Sequence, residues 1–219
     1  MMTPKQSLLS HPDLKRDEPL DADEIAELEE QLGGPLPHDI EQLLRCASGY
    51  SNATTSVDLT GRIHGQECEP CGLLNTCIPL SKTIEGNFWA VDVLSDGTWS
   101  SVFYLSHDPP VYVLQFRSLA EFIDATASGK ELVDETLIAA ACKTPSVKAA
   151  DALLSQDPAM AKFAKTVSPD CRVFDLRPGS GNIGFEWDLD SDCVRAGDEL
   201  IFGLAARAKK KGWFAKLFG

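Results

Sequence analysis

The hydrophobic pattern of the chain changes its period near residue 56, and this change constrains the fold more than any other feature. Before it, Ile25, Leu28 and Leu32 recur at helical spacing. After it, short runs rich in Val, aromatic and β-branched residues alternate with turn signals such as Asp96-Gly97. A period near 3.6 places apolar side chains on one face of a helix, and a period of 2 places them on one face of a strand. The sequence therefore predicts helices followed by an antiparallel sheet.

The helical part carries start and stop signals for two helices. Asp21 followed by Glu24 is a variant of the capping box, and Gly33 ends the first helix. Pro37 fits the first residue of a second helix, and Gly49 follows the end of that helix. These signals predict two consecutive helices that form a helical hairpin.

The strand part and the residues after it complete the predicted architecture. Four runs, VDLTGRI, FWAVDVL, SVFYL and VYVLQF, predict an antiparallel sheet, and Ser118 with Glu121 opens a further helix. Beyond residue 130, RVFDL and GFEWDL predict a two-strand hairpin, and residues 198–211 predict a last helix. The fold class is therefore α+β, with a helical hairpin and a further helix packed on an antiparallel sheet and a C-terminal α/β extension.

These signals divide the chain into four parts. Residues 1–20 mix Pro, Ser and charges without periodicity and predict a mobile N-terminal arm. The α+β domain is expected over residues 21–130, and a helical extension with the two-strand hairpin over residues 131–208. Residues 209–219 form a tail of lysines and aromatic residues that could dock weakly to a membrane surface or to a protein. The alternative is that its aromatic residues fold back onto the domain.

Net charge separates the body of the chain from its last thirteen residues. The whole chain carries −13, and the last thirteen residues carry five basic and no acidic side chains, which leaves −18 for the rest. A polyanionic body repels nucleic acid and anionic membranes and attracts a basic partner.

No segment is apolar over the length of a membrane span, and seven scattered cysteines fit reduced thiols. We therefore expect a cytoplasmic protein without a transmembrane segment.

An ordered series of positions between residues 36 and 122 matches one known family. The positions are Leu36-Pro37, Gly49, Gly86-Asn87, Trp89, Val102, His107-Asp108, Ser118 and Phe122. This series resembles the SUKH superfamily of fungal cell-wall-assembly regulators and bacterial toxin-immunity proteins over about residues 21–130. The resemblance implies a non-enzymatic binding fold. Bacterial members often neutralise a toxin by direct contact, and fungal members act as scaffolds in cell-wall signalling.

The leading hypothesis is a non-catalytic protein-binding module, an immunity protein that neutralises a basic toxin domain. Ten acidic residues and no Lys or Arg stand between Asp17 and Glu41, a surface that could imitate nucleic acid to a basic nuclease. A solvated helix face is the other interpretation of this run. A regulatory scaffold of cell-wall or envelope processes without a toxin partner is the alternative function. The candidate contact residues are Glu27, Glu29, Glu30 and, at positions that match the family, His107 and Asp108.

One cysteine-rich segment offers metal ligands and a third hypothesis, a zinc-stabilised module. Cys68 and Cys71 supply two thiolates on a tight turn. With His64 and Cys77 they make four side chains of the kinds that bind zinc. The second CxxC or HxxxH of a zinc motif is missing, so an unliganded loop is the competing interpretation, and no cofactor is predicted. The chain also lacks GxSxG and HExxH motifs, and enzyme activity is not expected.

Overall fold

Helices and antiparallel strands make up the computed structural model, which describes residues 2–62, 74, 76–130, 132–133, 137–139, 144–178, 182–187 and 191–206. Its helices are α1 (Pro4–Leu9), α2 (Ala22–Leu32), α3 (His38–Leu44), α4 (Leu119–Ala127), α5 (Ala149–Ala152) and α6 (Pro158–Ala164). Its strands are β1 (Lys15–Arg16), β2 (Gly49–Ser51), β3 (Ser56–Asp58), β4 (Thr76–Lys82), β5 (Phe88–Val93), β6 (Trp99–His107), β7 (Pro110–Phe116), β8 (Ser146–Lys148), β9 (Arg172–Asp175), β10 (Ile183–Glu186), β11 (Ser191–Arg195) and β12 (Ile201–Ala206).

The strands form sheets that stack in layers with the helices. Within the described residues, a three-stranded sheet has the order β1-β2-β3, a five-stranded sheet β10-β7-β6-β5-β4, and a four-stranded sheet β11-β12-β9-β8. Helices α1 to α4 cover one face of the five-stranded sheet, and the four-stranded sheet covers the other face. Helices α5 and α6 cover the outer face of the four-stranded sheet. The α+β class expected from the sequence is confirmed.

Alternating side chains of the strands fill the spaces between these layers. Trp89 and Val102 face the helices, where Phe122 of α4 is fully buried. Phe103 and Phe202 meet between the two large sheets, with ring centroids 6.3 Å apart. Because both faces of the five-stranded sheet are covered, every residue of β5 is buried.

The predicted signals of α2 and α4 act as the sequence indicates, and that of α3 is displaced by one residue. Asp21 caps α2 in a reciprocal capping box with Glu24, and Gly33 ends the helix with a positive φ of 78°. Pro37 is the residue immediately before α3 and not its first helical residue. The Ser118 hydroxyl accepts a hydrogen bond from the Glu121 backbone N–H at the start of α4. Among the described residues, no helix is long and apolar enough to span a membrane.

The first twenty residues differ from the expected mobile arm. The Ser7 hydroxyl donates a hydrogen bond to the Ala120 carbonyl of α4 at 3.0 Å, and β1 pairs with β2. Leu8, Leu14 and Leu20 are buried in the core beneath the helices. These leucines lie in separate short segments, so they produce neither the helical nor the strand period in the sequence.

The C-terminal part differs from the sequence prediction in two elements. The strands β9 and β10 do not form a hairpin, because β9 lies between β12 and β8 while β10 pairs with β7. Residues 201–206 of the expected last helix form β12, and residues 207–211 lie outside the described residues, as does the tail of residues 209–219. Ile201 and Phe202 are buried on opposite faces of a central strand, so no alternation distinguishes this apolar run from a helix.

The strand β4 was not predicted. It contains Pro79, which cannot donate a backbone hydrogen bond, so this segment lacks the sequence pattern of a regular strand. In the structure β4 is the edge strand of the five-stranded sheet, and its register with β5 shifts between Pro79 and Ser81. An edge strand with an irregularity is a place where a sheet tolerates proline.

Candidate functional site

Most of the acidic run of the sequence lies on the outer side of α2 and in the segment before that helix, and its last two members, Asp39 and Glu41, lie in α3. The Asp21 carboxylate accepts hydrogen bonds from the backbone N–H groups of Asp23 and Glu24, each at 2.9 Å. Ile25 and Leu28 are buried against the core, so the carboxylates of α2 point away from it. We call the following set the acidic surface: Asp17, Glu18, Asp23, Glu24, Glu27 and Glu30.

Arg62 binds two of these carboxylates. Its Nη1 donates to Glu24 Oε1 at 3.1 Å, and its Nη2 donates to Glu27 Oε2 at 2.9 Å. The Arg62 side chain is 35% exposed, so water screens both ion pairs and each contributes little to stability. Both carboxylates therefore lie beside the same guanidinium. Sequence reasoning missed this arginine, although it is the only Lys or Arg between Arg45 and Lys82.

The other two glutamates predicted to contact a partner differ in their surroundings. Glu29 Oε1 accepts a hydrogen bond from the Leu36 backbone N–H at 2.9 Å and so ties α2 to the segment before α3. Glu30 is exposed on the outer side of the helix. Replacing Glu30 therefore probes the surface charge, whereas replacing Glu29 also removes a hydrogen bond that shapes the helical hairpin.

A groove of about 230 Å³ continues the acidic surface toward the three-stranded sheet. Asp58 lies in its wall, is buried, and accepts hydrogen bonds from the Thr60 N–H at 2.8 Å and the Thr60 hydroxyl at 2.6 Å. Over the ranges that the structure describes, no three His, Cys, Asp or Glu side chains are grouped to hold a metal ion. The other charged residues of the groove are Asp17, Glu18, Glu24 and Arg62.

His107 and Asp108 lie at the turn between β6 and β7, where a buried asparagine positions them. Asn87 Oδ1 accepts a hydrogen bond from the His107 backbone N–H at 3.2 Å and lies 2.8 Å from His107 Nδ1. Asn87 Nδ2 donates to the Tyr104 hydroxyl at 2.9 Å. Burial raises the pKa of Tyr104, so this hydroxyl stays neutral. The side chains of His107 and Asp108 are exposed beyond this network.

The structure places the two predicted contact groups on separate surfaces. The loop after α2 lies beside the turn between β5 and β6, where an added Cβ on Gly97 would lie 3.5 Å from the Pro35 carbonyl oxygen. His107 lies at the opposite end of β6. A strand of this length spans roughly 25 Å, so one small partner contact does not cover both groups.

The predicted metal site is described only in part. His64, Cys68 and Cys71 lie outside the described residues. A zinc site formed by these three residues and Cys77 therefore stays a prediction. Cys77 lies in β4 directly opposite Asp92 of β5, so both side chains leave the same face of the sheet. That face meets the four-stranded sheet.

Comparison with known proteins gives one family. Residues 19–125 match the model of the SMI1 / KNR4 family (SUKH-1). A comparison with curated proteins found no match. The matched segment covers just under half of the chain and contains α2 with most of the acidic surface, as well as the contact between Asn87 and His107.

Proposed function

Because residues 19–125 belong to the SMI1 / KNR4 family (SUKH-1), we propose that this chain is a non-catalytic protein-binding module that neutralises a basic toxin domain in the cytoplasm. The family fits a non-catalytic module, and the immunity role is the finer proposal. The observation that carries it is the acidic surface, most of which lies within the matched segment.

The distribution of charge supports a basic partner. Residues 17–41 contain ten acidic residues and no Lys or Arg, in a chain whose net charge is −13. A surface of one sign attracts a partner of the opposite sign and raises the rate of association. At physiological ionic strength, salt largely screens this attraction between charges more than about 8 Å apart. The association rate of a toxin complex should therefore fall as salt rises.

The bridge from Arg62 prepares part of the acidic surface for binding. Glu24 and Glu27 are held by the same guanidinium, and each keeps an exposed portion that a partner can reach. Carboxylates that are already fixed lose less side-chain entropy when a partner binds. We infer that a basic residue of the toxin contacts the outer oxygens of this pair.

The test is the association rate with a candidate toxin encoded beside the gene. Asp23→Lys combined with Glu30→Lys reverses two exposed carboxylates while leaving the Arg62 bridge and the Glu29 hydrogen bond in place. We expect the association rate constant at low salt to fall about tenfold or more, with little change in dissociation. Stopped-flow or biosensor kinetics measures both rates.

The matched control is Asp151→Lys combined with Asp170→Lys. These aspartates are also exposed but belong to the C-terminal part, and the double variant changes the net charge by the same amount. Equal slowing by the two double variants would mean that net charge alone steers the partner. That result would argue against contact at the acidic surface.

Gene context separates the immunity role from the regulatory scaffold. A neighbouring gene for a secreted toxin with a C-terminal nuclease or deaminase domain supports immunity. A position beside envelope or division genes, without a toxin, supports the scaffold. The scaffold keeps the binding fold but requires neither a basic partner nor salt-sensitive association.

A further inference from the structure

One end of the five-stranded sheet carries three segments side by side. The turn of residues 83–87 joins β4 to β5, and the turn of residues 107–110 joins β6 to β7. Trp187 follows β10 at the same end, since Glu186 pairs with Val111. Neighbouring strands lie about 4.8 Å apart, so this row is roughly 20 Å long. We call the following set the hairpin end: Ile84, Glu85, His107, Asp108, Pro109 and Trp187.

Hydrogen bonds fix all three segments of the hairpin end. The Thr83 backbone N–H donates to the Asn87 carbonyl at 2.8 Å, which closes the first turn. The buried Asn87 side chain then binds His107 of the second turn. The Trp187 backbone N–H donates to the Pro110 carbonyl at 3.0 Å. The surface is therefore formed before any partner binds, which lowers the entropy that binding costs.

Apolar side chains are exposed to solvent along this row. Ile84 is fully exposed at the tip of its turn, and Pro109 is exposed at the tip of the next. Trp187 is half-buried, with its ring centroid 5.9 Å from that of Tyr112. A single exposed apolar residue is common on any protein, but several on fixed neighbouring segments are typical of interface anchors.

Carboxylates surround these apolar side chains. Glu85, Asp108 and Glu186 are all exposed. A hydrogen bond from the Thr83 hydroxyl holds the pKa of Glu85 below its usual range, so this carboxylate stays ionised. Lys82 is close by, and its ammonium lies over the Phe88 ring, 5.5 Å from the centroid. The charge of the row is therefore mainly negative.

We propose that the hairpin end is a second protein-binding surface, whose partner is a basic segment that also carries apolar side chains. Ile84 and Trp187 contact the apolar side chains, while Glu85 and Asp108 receive Lys or Arg. This surface lies at the opposite end of the sheet from the loop after α2. The proposal goes beyond toxin neutralisation, because it holds whether or not the acidic surface binds a toxin.

A phage-displayed library of random short peptides, selected on the full chain, tests the proposal. We expect the enriched peptides to combine Lys or Arg with apolar residues. Ile84→Asn should weaken their binding about tenfold or more without changing the melting temperature, because Ile84 is fully exposed. Glu85→Lys combined with Asp108→Lys should also weaken binding and remove most of its salt dependence.

Two further variants serve as controls. Leu154→Asn removes another exposed apolar residue, 85% exposed in the C-terminal part, and should leave peptide binding unchanged. Ile84→Val keeps an apolar side chain and should retain most of the binding. Failure to enrich any peptide, or equal binding to Ile84→Asn and the unaltered chain, would overturn the proposal. Binding lost only in Asp23→Lys with Glu30→Lys would assign the peptides to the acidic surface and also overturn it.

Discussion

The segment of residues 19–125 and the residues 144–206 specify their elements in different ways. In the first, a few neighbouring residues decide where a helix begins and ends, as Asp21 and Gly33 do for α2 and Ser118 does for α4. In the second, β10 is defined by its pairing with β7 and β12 by its place between β11 and β9. Local chemistry thus sets helix limits, whereas distant partners decide which sheet a strand joins.

Gly184 shows why the position of β10 is hidden in the sequence. A Cβ at this residue would overlap the carbonyl oxygen of Tyr112, so β10 lies closer to β7 than another residue type permits. The sequence predicts that the strand GFEWDL, which begins at Gly184, pairs with RVFDL. Phe185, next to Gly184, instead stacks on Phe174 of the four-stranded sheet, with centroids 4.7 Å apart. The glycine marks a contact between distant segments, which local turn chemistry does not reveal.

The candidate surfaces also differ in how far apart in the sequence their residues lie. The acidic run is visible in the sequence because its members are neighbours along the chain, most of them in α2 and the preceding segment. The bridge from Arg62 to Glu27 joins residues 35 positions apart, and the contact between Asn87 and His107 joins residues 20 positions apart. Neither pair has a local signal. Ile84 also has no local sequence signal, because a single apolar residue in a turn produces no periodic pattern.

The largest effect should follow from breaking the ion pair between the two large sheets. Arg195 of β11 donates two hydrogen bonds to Asp92 of β5, at 2.7 and 2.8 Å, and both side chains are almost fully buried. Asp92→Ala leaves the guanidinium without its counter-charge and should lower the free energy of unfolding by about 3–5 kcal/mol. Asp92→Leu with Arg195→Met removes both charges and should recover most of the loss. Urea denaturation measures both variants.

Limited proteolysis of Asp92→Ala then sharpens the comparison of the two regions. We propose that residues 21–130, with the first twenty residues packed on them, form a protease-resistant unit on which the C-terminal part docks. Cleavage should therefore appear first within residues 144–206, while a fragment that contains residues 21–130 and the packed N-terminal residues persists. Equal loss of protection in both regions would show that β10 and the ion pair bind them into one cooperative structure.

Leu28→Ala should cause the next largest effect and should act on the other region. Leu28 is 2% exposed in the core beneath the helices, so the change leaves a cavity and should cost about 2–5 kcal/mol. Thermal and urea unfolding measure this loss. Glu30→Ala on the outer side of the same helix is the control and should change stability by less than about 0.5 kcal/mol. Similar losses in the two variants would contradict the orientation of α2.

Asp21→Ala tests the local signal itself, and we expect a smaller effect. The substitution removes two hydrogen bonds to the first turn of α2 and should cost about 1 kcal/mol. Asp21→Asn keeps a side-chain oxygen in the same place and should retain most of the stability. If both substitutions had the same effect on urea unfolding, the charge of Asp21 and not its cap would matter.

The smallest effect should appear only on acidification, and it concerns a charged cluster of the C-terminal part. Arg177 Nη2 donates to Asp157 Oδ2 at 2.6 Å and to Asp175 Oδ2 at 2.7 Å. The hydrogen bond from Arg177 holds the pKa of Asp157 below its ordinary 3.8. Burial of Asp175 favours its neutral form, but hydrogen bonds from Arg177 outweigh burial and lower this pKa as well. Both carboxylates therefore bind protons less readily in the folded state.

The sign of the pH dependence follows from these two lowered pKa values. The stabilisation is fully present above the ordinary carboxyl pKa of 3.8 and is lost as the pH falls through the lower folded values, because acid favours the unfolded state that binds more protons. Arg177→Gln should therefore make unfolding less sensitive to pH between about pH 5 and pH 2. Thermal melts across that range, compared with Arg45→Gln, which removes an exposed pair with Glu41 in the other region, measure the difference. An unchanged pH dependence in Arg177→Gln would mean that this cluster does not govern acid unfolding.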